Sequence, residues 1–317
     1  MPVRAALVMV LATLAAGSVP PALSGEVVDI PCTLAAGDTV VLDVTRGREQ
    51  AGGDTRPRDV AVASPVRFVV TARNERGFVL AWRTDWEDLG AVLAAAGSGG
   101  VADSLAEVVG EMARHELLIQ TDELGTPLEL VNGAETLALV QRAADRMVAS
   151  LELDEAQRRS FADIMESMLS PQVILGRAMQ DASIYFMFTG GSYETGEEYE
   201  FEDVLANPLG GEPFPALVRF RADPGDVAGK VTMTYTQDTD EAAVRAFLED
   251  FAARLPDGET MREELSDAEL GISTHATYVI DLASGLPDRI DFERRIDLGP
   301  GRRVDTLVIE TRPRPGR

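Results

Sequence analysis

VRFVVTARNERGFVLAW, residues 66–82, is the stretch that decides the fold class. Its two halves, Val66–Ala72 and Phe78–Trp82, are rich in β-branched and aromatic residues. The short polar segment between them, Asn74–Gly77, ends in glycine. Two such runs joined by a short turn with glycine are typical of a β-hairpin. The sequence therefore predicts antiparallel sheet at this point of the chain.

The flanking segments extend the strand-rich pattern. Alternation predicts a strand at Thr39–Thr45, and a second hairpin whose strands are His115–Thr121 and Pro127–Val131. Gly47–Arg58 is rich in Gly, Arg and Asp, which predicts a mobile loop. A helix is expected between the two hairpins, from about Ala102 to Arg114.

The middle of the chain changes to helical periodicity. One helical face is expected to carry Leu137, Val140, Ala144, Met147, Val148 and Leu151. A second helix is expected from near Asp154, and a third from Ser170-Pro171 toward Phe188. These helices form a predicted insert over residues 133–190.

Strands return in the last third. The predicted strands are Tyr199–Val204, Ala216–Arg221, Val231–Gln237, Thr274–Leu282, Arg289–Asp297 and Arg303–Thr311, with a helix over Asp240–Leu255. Helices separate groups of hairpins, so the pattern favours an α+β fold: curved antiparallel sheet with the helical insert packed on it. The predicted division is residues 25–132, 133–190 and 191–317, with one domain over 25–317 as the alternative.

The two strand-rich parts resemble each other. Pro65–Phe68 (PVRF) has a counterpart in Leu217–Phe220 (LVRF). The hairpin Ile119–Pro127 aligns with Val279–Pro287, which places Gly125 opposite Gly285. A duplication would set two half-barrels side by side, whereas four or five identities also arise by chance. The sequence leaves both interpretations open.

The hairpin Tyr278–Pro287, which continues into Arg289-Ile290, is similar to one found in exported bacterial proteins. These include the periplasmic lipoprotein-carrier superfamily and several domains of unknown function. The resemblance implies a curved antiparallel sheet that wraps around helices and leaves an apolar cavity for acyl chains. It covers about fifteen residues and assigns no functional residue here, because a shared fold does not establish function.

The first 24 residues have the pattern of a cleavable secretory signal. Arg4 precedes the apolar stretch Ala5–Ala16, and Ala22-Leu23-Ser24 supplies small residues for cleavage, with a cut near Ala16-Gly17 as the alternative. The apolar stretch is shorter than the about 20 residues that span a bilayer. We therefore expect a periplasmic or secreted protein with no membrane span after cleavage.

The net charge limits the possible binding partners, and the cysteine content limits the possible covalent links. The formal net charge of −24 predicts repulsion of nucleic acid and of anionic lipid headgroups. Cys32 is the single cysteine, so no intrachain disulfide can form. The preceding Pro31 and Asp29 differ from a lipid-attachment site, and we expect Cys32 not to be an anchor.

No motif for cofactor or metal chemistry is present, and we predict neither. His115 and His275 lie far apart, without the paired histidines of a zinc protease. Ser98 and Ser192 follow glycines, but neither lies in a nucleophile elbow. Glu194–Asp203 is dense in carboxylates. We interpret it as the wet face of an edge strand, with calcium binding as the alternative.

The remaining candidate site is apolar. Methionine adapts to irregular apolar ligands, and the predicted ligand-binding residues are Phe161, Met165, Met168, Met179, Phe186 and Phe188. An ordinary helix-to-sheet core is the competing interpretation. The leading hypothesis is a non-enzymatic binding protein for an apolar small molecule or lipid. The alternatives are an envelope interaction module with an acidic surface and a hydrolase with a carboxylate site.

Overall fold

A computed structural model gives the fold over most of the chain. It describes residues 25–52, 58–84, 110–111, 114–150, 171–207, 212–253, 259, 262–263, 265, 268–298 and 301–313. The predicted helix from Asp154 and most of the predicted helix Ala102–Arg114 lie outside these ranges.

The described strands and helices follow the predicted order. The strands are β1 Val27–Asp29, β2 Thr39–Gly52, β3 Arg58–Asn74, β4 Gly77–Thr84, β5 Leu117–Thr121, β6 Pro127–Leu130, β7 Ser192–Glu194, β8 Glu198–Leu205, β9 Phe214–Pro224, β10 Lys230–Thr239, β11 Gly271–Asp281, β12 Leu286–Asp297 and β13 Gly301–Thr311. The helices are α1 Gly133–Ser150, α2 Pro171–Tyr185 and α3 Glu241–Ala252. Asp240 caps α3 by accepting a hydrogen bond from the backbone N–H of Ala243. The predicted α+β fold is confirmed.

Eleven strands form one antiparallel sheet. Their order is β6-β5-β4-β3-β2-β13-β12-β11-β10-β9-β8, and β2 pairs with β13 at the centre. The N-terminal and C-terminal strand sets thus belong to a single sheet. No pairing among the described strands joins β6 to β8, so the sheet is open. The short strands β1 and β7 pair separately with each other.

The two strand sets occur in the same order. β2 to β6 and β8 to β12 each contain three strands, an interruption and then a hairpin, and both sets run in the same direction across the sheet. PVRF lies in β3 and LVRF in the corresponding β9. Gly125 and Gly285 both have positive φ, +89° and +71°, in the turns of the corresponding hairpins. The weak sequence repeat therefore matches a repeat in strand order.

Contacts at the two hairpin turns show how strongly the sheet curves. The β5–β6 and β11–β12 hairpins lie six positions apart in the strand order, about 29 Å in a flat sheet. Yet two adjacent residues touch both turns, since Pro31 lies against Gly285 and Cys32 against Gly125. The Oγ1 of Thr33 also donates to the Ser284 carbonyl at 3.0 Å. The sheet therefore wraps until these turns meet at one rim.

The prediction of a mobile loop at Gly47–Arg58 is wrong for the residues of this segment that the structure describes. β2 continues to Gly52 and β3 begins at Arg58, with Arg48 paired to Val60. The segment is also paired on its other side, because β13 bonds to β2 from Thr311–Leu42 to Gly301–Gly52. A partner strand from the opposite end of the chain thus imposes extended structure on a loop-like composition.

The helices lie between β6 and β7 along the chain, apart from α3. α2 packs against α1 and β6 and also touches β12, while α3 packs on β9. No helix among the described residues is both long enough and apolar enough to cross a bilayer.

Lys230, the single lysine, braces the rim near the β11–β12 turn. Its Nζ lies 3.1 Å from Asp281 and 2.6 Å from Asp288. Burial acts to raise the pKa of Asp281, but hydrogen bonds from Ser284 and Lys230 outweigh it and hold that pKa below its usual value. Burial acts to lower the pKa of Lys230, yet the two carboxylates outweigh it and raise that pKa.

We expect Lys230→Met to lower the free energy of unfolding by about 1 kcal/mol at pH 7. A depressed carboxyl pKa stabilises the fold above its unfolded value of about 4, and this contribution is lost as pH falls through the folded pKa. The raised lysine pKa acts below about 10 and is lost as pH rises through the folded value. Urea unfolding should show a stability difference across the neutral range that shrinks at both ends, and a pH-independent difference would contradict the assignment.

Candidate functional site: the concave face

The concave face of the sheet is lined by alternate residues of every long strand. These positions are mostly apolar and most are fully buried. Examples are Val40, Leu42, Val66, Phe68, Leu80, Val218, Phe220, Met233, Tyr278, Ile290 and Ile309. The opposite face carries most of the charged residues, as is typical of strands with one dry face.

Residues 185–188, at the end of α2 and just beyond it, fill the concavity near the rim where the β5–β6 and β11–β12 turns meet. We call this rim the closed rim. The ring of Phe186 lies 5.5 Å from Phe68, and that of Phe188 lies 5.0 Å from Tyr278 and 5.6 Å from Phe220. Tyr185 donates to or accepts from Thr311 at 3.0 Å. One short segment thus contacts strands from both halves of the sheet.

A second apolar cluster lies on the same face at the opposite rim. α3 places Val244 and Leu248 over Phe214 and Ile272, and all four are buried. The two clusters do not merge, so the concave face has two covered apolar regions with a strip between them.

The strip between the clusters is polar. Across neighbouring strands it contains Gln237, Thr274, Arg294, Asp305 and Arg48 in register. The Nε of Arg294 donates to Thr274 Oγ1 at 3.2 Å, and its guanidinium lies 5.5 Å from the centroid of the Phe292 ring. Gln237 and Thr274 are 6% and 2% exposed, so polar groups lie deep within an apolar face.

Further charged residues continue the strip toward the centre of the sheet. Asp305 accepts from Arg48 Nε at 2.8 Å and from Arg303 Nε at 3.0 Å. Burial acts to raise the pKa of Asp305, but these arginines outweigh it and hold that pKa below its usual value. Nearby, Arg46 donates to Ser64 Oγ at 2.9 Å and forms an ion pair with Asp181 of α2. We call Arg46, Arg48, Arg294 and Arg303 the arginine row.

The structure places the predicted ligand-binding residues in different settings. Phe186 and Phe188 are 0% and 4% exposed within the aromatic core, and Met179 is half-buried against it. Phe161, Met165 and Met168 lie outside the described residues. The structure does bring Met179, Phe186 and Phe188 together on the concave side, and their role in ligand binding stays a prediction.

Of the other candidate residues, His115 and Ser192 have hydrogen-bond partners. His115 Nε2 lies 2.9 Å from Thr136 Oγ1, and His275 is exposed on the outer face of β11. Ser192 lies in β7 and donates to Asp29 at 2.5 Å, whereas Ser98 falls outside the described ranges. Within those ranges, no three His, Cys, Asp or Glu side chains are grouped closely enough to hold a metal ion.

The acidic segment forms the outer face of an edge strand, as predicted. Glu198, Glu200 and Glu202 are exposed on β8, and Glu200 accepts from Arg219 of β9 at 2.7 Å. Asp203 has the opposite parity and belongs to the concave face. An open groove of about 820 Å³ lies at this edge, lined by residues that include Glu202, Asp203, Arg219 and Asp240. Its lining mixes these charged residues with apolar ones such as Val204, Pro215 and Leu217, and none of the predicted methionines lines it.

The sequence analysis missed the arginine row, although a signal was present. In β13 the residues Arg303, Asp305, Leu307 and Ile309 alternate in one phase, and in β12 Ile290, Phe292 and Arg294 do the same. Charged residues that share the parity of core residues must face the same side as the core. Following that parity past the last apolar position would have placed each of these arginines on the inner face.

Comparisons with known proteins give only distant similarity. No family model and no curated protein matches the sequence. Lipovitellin, in a structure of its lipid–protein interactions, is similar over 89% of this chain and 26% of its own, with a TM-score of 0.39 and 8% identity. Salmonella typhi OmpF in complex with daunomycin is similar over 87% of this chain and 97% of its own, with a TM-score of 0.18 and 8% identity. Similarities this weak do not identify a function.

Proposed function

We propose that this protein binds an apolar or lipid-like ligand against the concave face of its sheet, in the periplasm or outside the cell. One observation carries the proposal. Tyr199, Phe201 and Tyr235 have the parity of the core, yet each is only half-buried, next to the fully covered Met233. We call these three residues the aromatic patch.

The position of the aromatic patch suits a ligand. Tyr199 and Phe201 lie on β8, at an open edge of the sheet, and Tyr199 stacks on Phe220 at 4.9 Å. Ligand sites are concave and mainly apolar, with a few polar groups that orient the ligand. When a ligand covers aromatic surface that packing leaves partly in water, the burial of that surface stabilises the complex.

The location outside the cytoplasm rests on the first 24 residues. Their charged start, apolar stretch and small residues are those of a secretory signal. The hairpin similarity to the periplasmic lipoprotein-carrier superfamily supports the same compartment and a ligand of the same apolar character.

Ligand binding is tested with protein purified gently after export in a bacterial host. Native mass spectrometry should show a copurified mass of lipid size, and oleyl alcohol should displace an apolar fluorescent probe. Phe201→Ser should weaken oleyl alcohol binding about tenfold, because burial of one aromatic side chain supplies about 1.5–3 kcal/mol.

Val204→Ser is the matched control, since Val204 lies on the same strand but is 51% exposed on its outer face. This variant should bind like the unmodified protein. If the folded protein shows no copurified mass of lipid size and oleyl alcohol does not displace the probe, ligand binding is refuted.

An envelope interaction module is the second candidate. It is favoured by the row of exposed glutamates on the outer face of β8. A folded protein that binds no apolar probe, but whose association with envelope components weakens with added salt, would support this candidate.

A further inference from the structure

The arginine row is a local concentration of positive charge in an acidic protein. The whole chain has a net charge of −24. On the central concave face, however, Arg48 and Arg303 share one carboxylate, Asp305, and Arg46 forms an ion pair with Asp181. Charges farther away than about 8–10 Å are largely screened at physiological ionic strength, so the local balance decides what can bind here.

Arg294 is the residue whose charge is least compensated. Its one hydrogen bond within the described part of the chain goes to the neutral Thr274. The adjacent Asp305 is paired instead with Arg48 and Arg303. Burial and the positive charge of Arg303 lower the pKa of Arg294, although Tyr235 and Asp305 act in the opposite direction. Removing a guanidinium from water without a bound anion is costly.

The row is also reachable. The side chains of Arg48 and Arg303 are 57% and 40% exposed, whereas Arg294 is half-buried deeper in the same strip. Guanidinium groups match the geometry of carboxylates and phosphates and form two hydrogen bonds to one group. An anion that enters past Arg48 and Arg303 would meet Arg294 at its inner end.

The aromatic patch lies on the same face as the row. Tyr235 on β10 is two strands from Arg294 on β12, and Phe201 shares a register line with Arg294 through Val218, Gln237 and Thr274. The aromatic patch and Arg294 therefore lie on one concave face, two to four strands apart, or about 10–19 Å along the sheet. A ligand complementary to both has an apolar chain and a negatively charged end.

We propose that Arg48, Arg294 and Arg303 bind the carboxylate or phosphate group of an anionic amphiphile whose apolar chain lies on the aromatic patch. This rests on the proposed function and specifies its ligand class. It differs from the expectation, drawn from net charge alone, that this protein repels anionic lipid headgroups.

The test compares probes that share one hydrocarbon chain. Binding of oleate, oleyl phosphate and oleyl alcohol to the purified full-length protein is measured by calorimetry, with inorganic phosphate as a fourth probe. The charged amphiphiles should bind about tenfold or more tightly than the alcohol, because a charge-assisted hydrogen bond contributes about 1.5–3 kcal/mol. Added salt should weaken only the charged probes.

Two variants locate the site, and each has a neighbour as control. Arg294→Met and Arg303→Gln should each reduce oleate affinity about tenfold and leave oleyl alcohol unchanged. Arg295→Met and Arg302→Gln alter the adjacent residues, which have the opposite parity on β12 and β13, and should have no effect. Arg303 is partly exposed, so Arg303→Gln decides the question if Arg294→Met fails to fold.

The outcomes separate the two proposals. Equal affinity for oleate and oleyl alcohol would overturn the anion site and leave apolar ligand binding intact. Binding of none of the four probes would overturn both. Inorganic phosphate that binds as tightly as oleyl phosphate would assign the row to a free anion and overturn the amphiphile. Equal losses in the inner-face and control variants would also overturn the assignment.

Discussion

Gly285→Ala is expected to lower the free energy of unfolding by about 3–5 kcal/mol, a large part of the stability of a typical domain. A Cβ on Gly285 would lie 1.5 Å from the carbonyl oxygen of Pro31. The backbone φ of +71° adds a cost of about 1–2 kcal/mol for any residue with a side chain. The turn cannot move away easily, because the Gly285 carbonyl accepts a hydrogen bond from Thr189 at 3.1 Å.

Gly229→Ala is the matched control for this prediction. Gly229 has φ of +79° in the turn before β10, but a Cβ added there would have no other atom within 4 Å. Its replacement should lower the free energy of unfolding only by the cost of the positive φ, about 1–2 kcal/mol. Urea unfolding followed by circular dichroism measures both variants. Equal losses would mean that Pro31 does not hold the β11–β12 turn at the closed rim.

Phe188→Ala is the second substitution with a large expected effect. We expect the free energy of unfolding to fall by about 3–5 kcal/mol, because the side chain is 4% exposed and its removal leaves a cavity in the core. Its ring lies within 6.4 Å of the centroids of four others, Tyr193, Phe220, Tyr235 and Tyr278. These contacts link the C-terminal half of the sheet to the segment after α2.

Phe251→Ala removes the same side chain from a half-buried position on α3 and should cost about 1 kcal/mol. Phe188→Leu, which conserves much of the volume, should fall between the two alanine variants. Denaturant unfolding again measures the change. A loss below about 1 kcal/mol for Phe188→Ala would contradict its place in the core and favour the ligand-binding role predicted from the sequence.

Local sequence signals were enough for most of the strands. The alternation in Val66–Ala72 and Phe78–Trp82 predicted the β3–β4 hairpin, and the turn at Asp122–Gly125 predicted β5–β6. The predicted helix Asp240–Leu255 corresponds to α3, whose first turn Asp240 caps. Each of these signals acts between residues close in sequence, which is why sequence alone reveals them.

Long-range pairing was not predictable in the same way. β1 and β7 are three residues each, too short for a periodic pattern, and they pair across more than 160 positions. The extension of β2 through Gly47–Gly52 depends on β13. Composition describes a segment by itself, whereas the extended structure here comes from hydrogen bonds to a partner far along the chain.

The candidate site was predictable only in its apolar component. The sequence singled out Phe186 and Phe188 as either core or ligand surface, and nothing local distinguishes these roles. The arginine row requires knowledge of which strands are neighbours, because Arg48, Arg294 and Arg303 come from distant segments. Parity shows that each faces inward, but only the strand order brings them together.

The central position of β13 has a consequence for biosynthesis. This strand is the last of the eleven to leave the ribosome, and it lies between β12 and β2 with hydrogen bonds to both. Until it is made, both neighbours have an unpaired edge, which is a template for aggregation. Completion of the sheet therefore waits for β13, and a holding factor that keeps the earlier strands unfolded would protect those edges until this strand arrives.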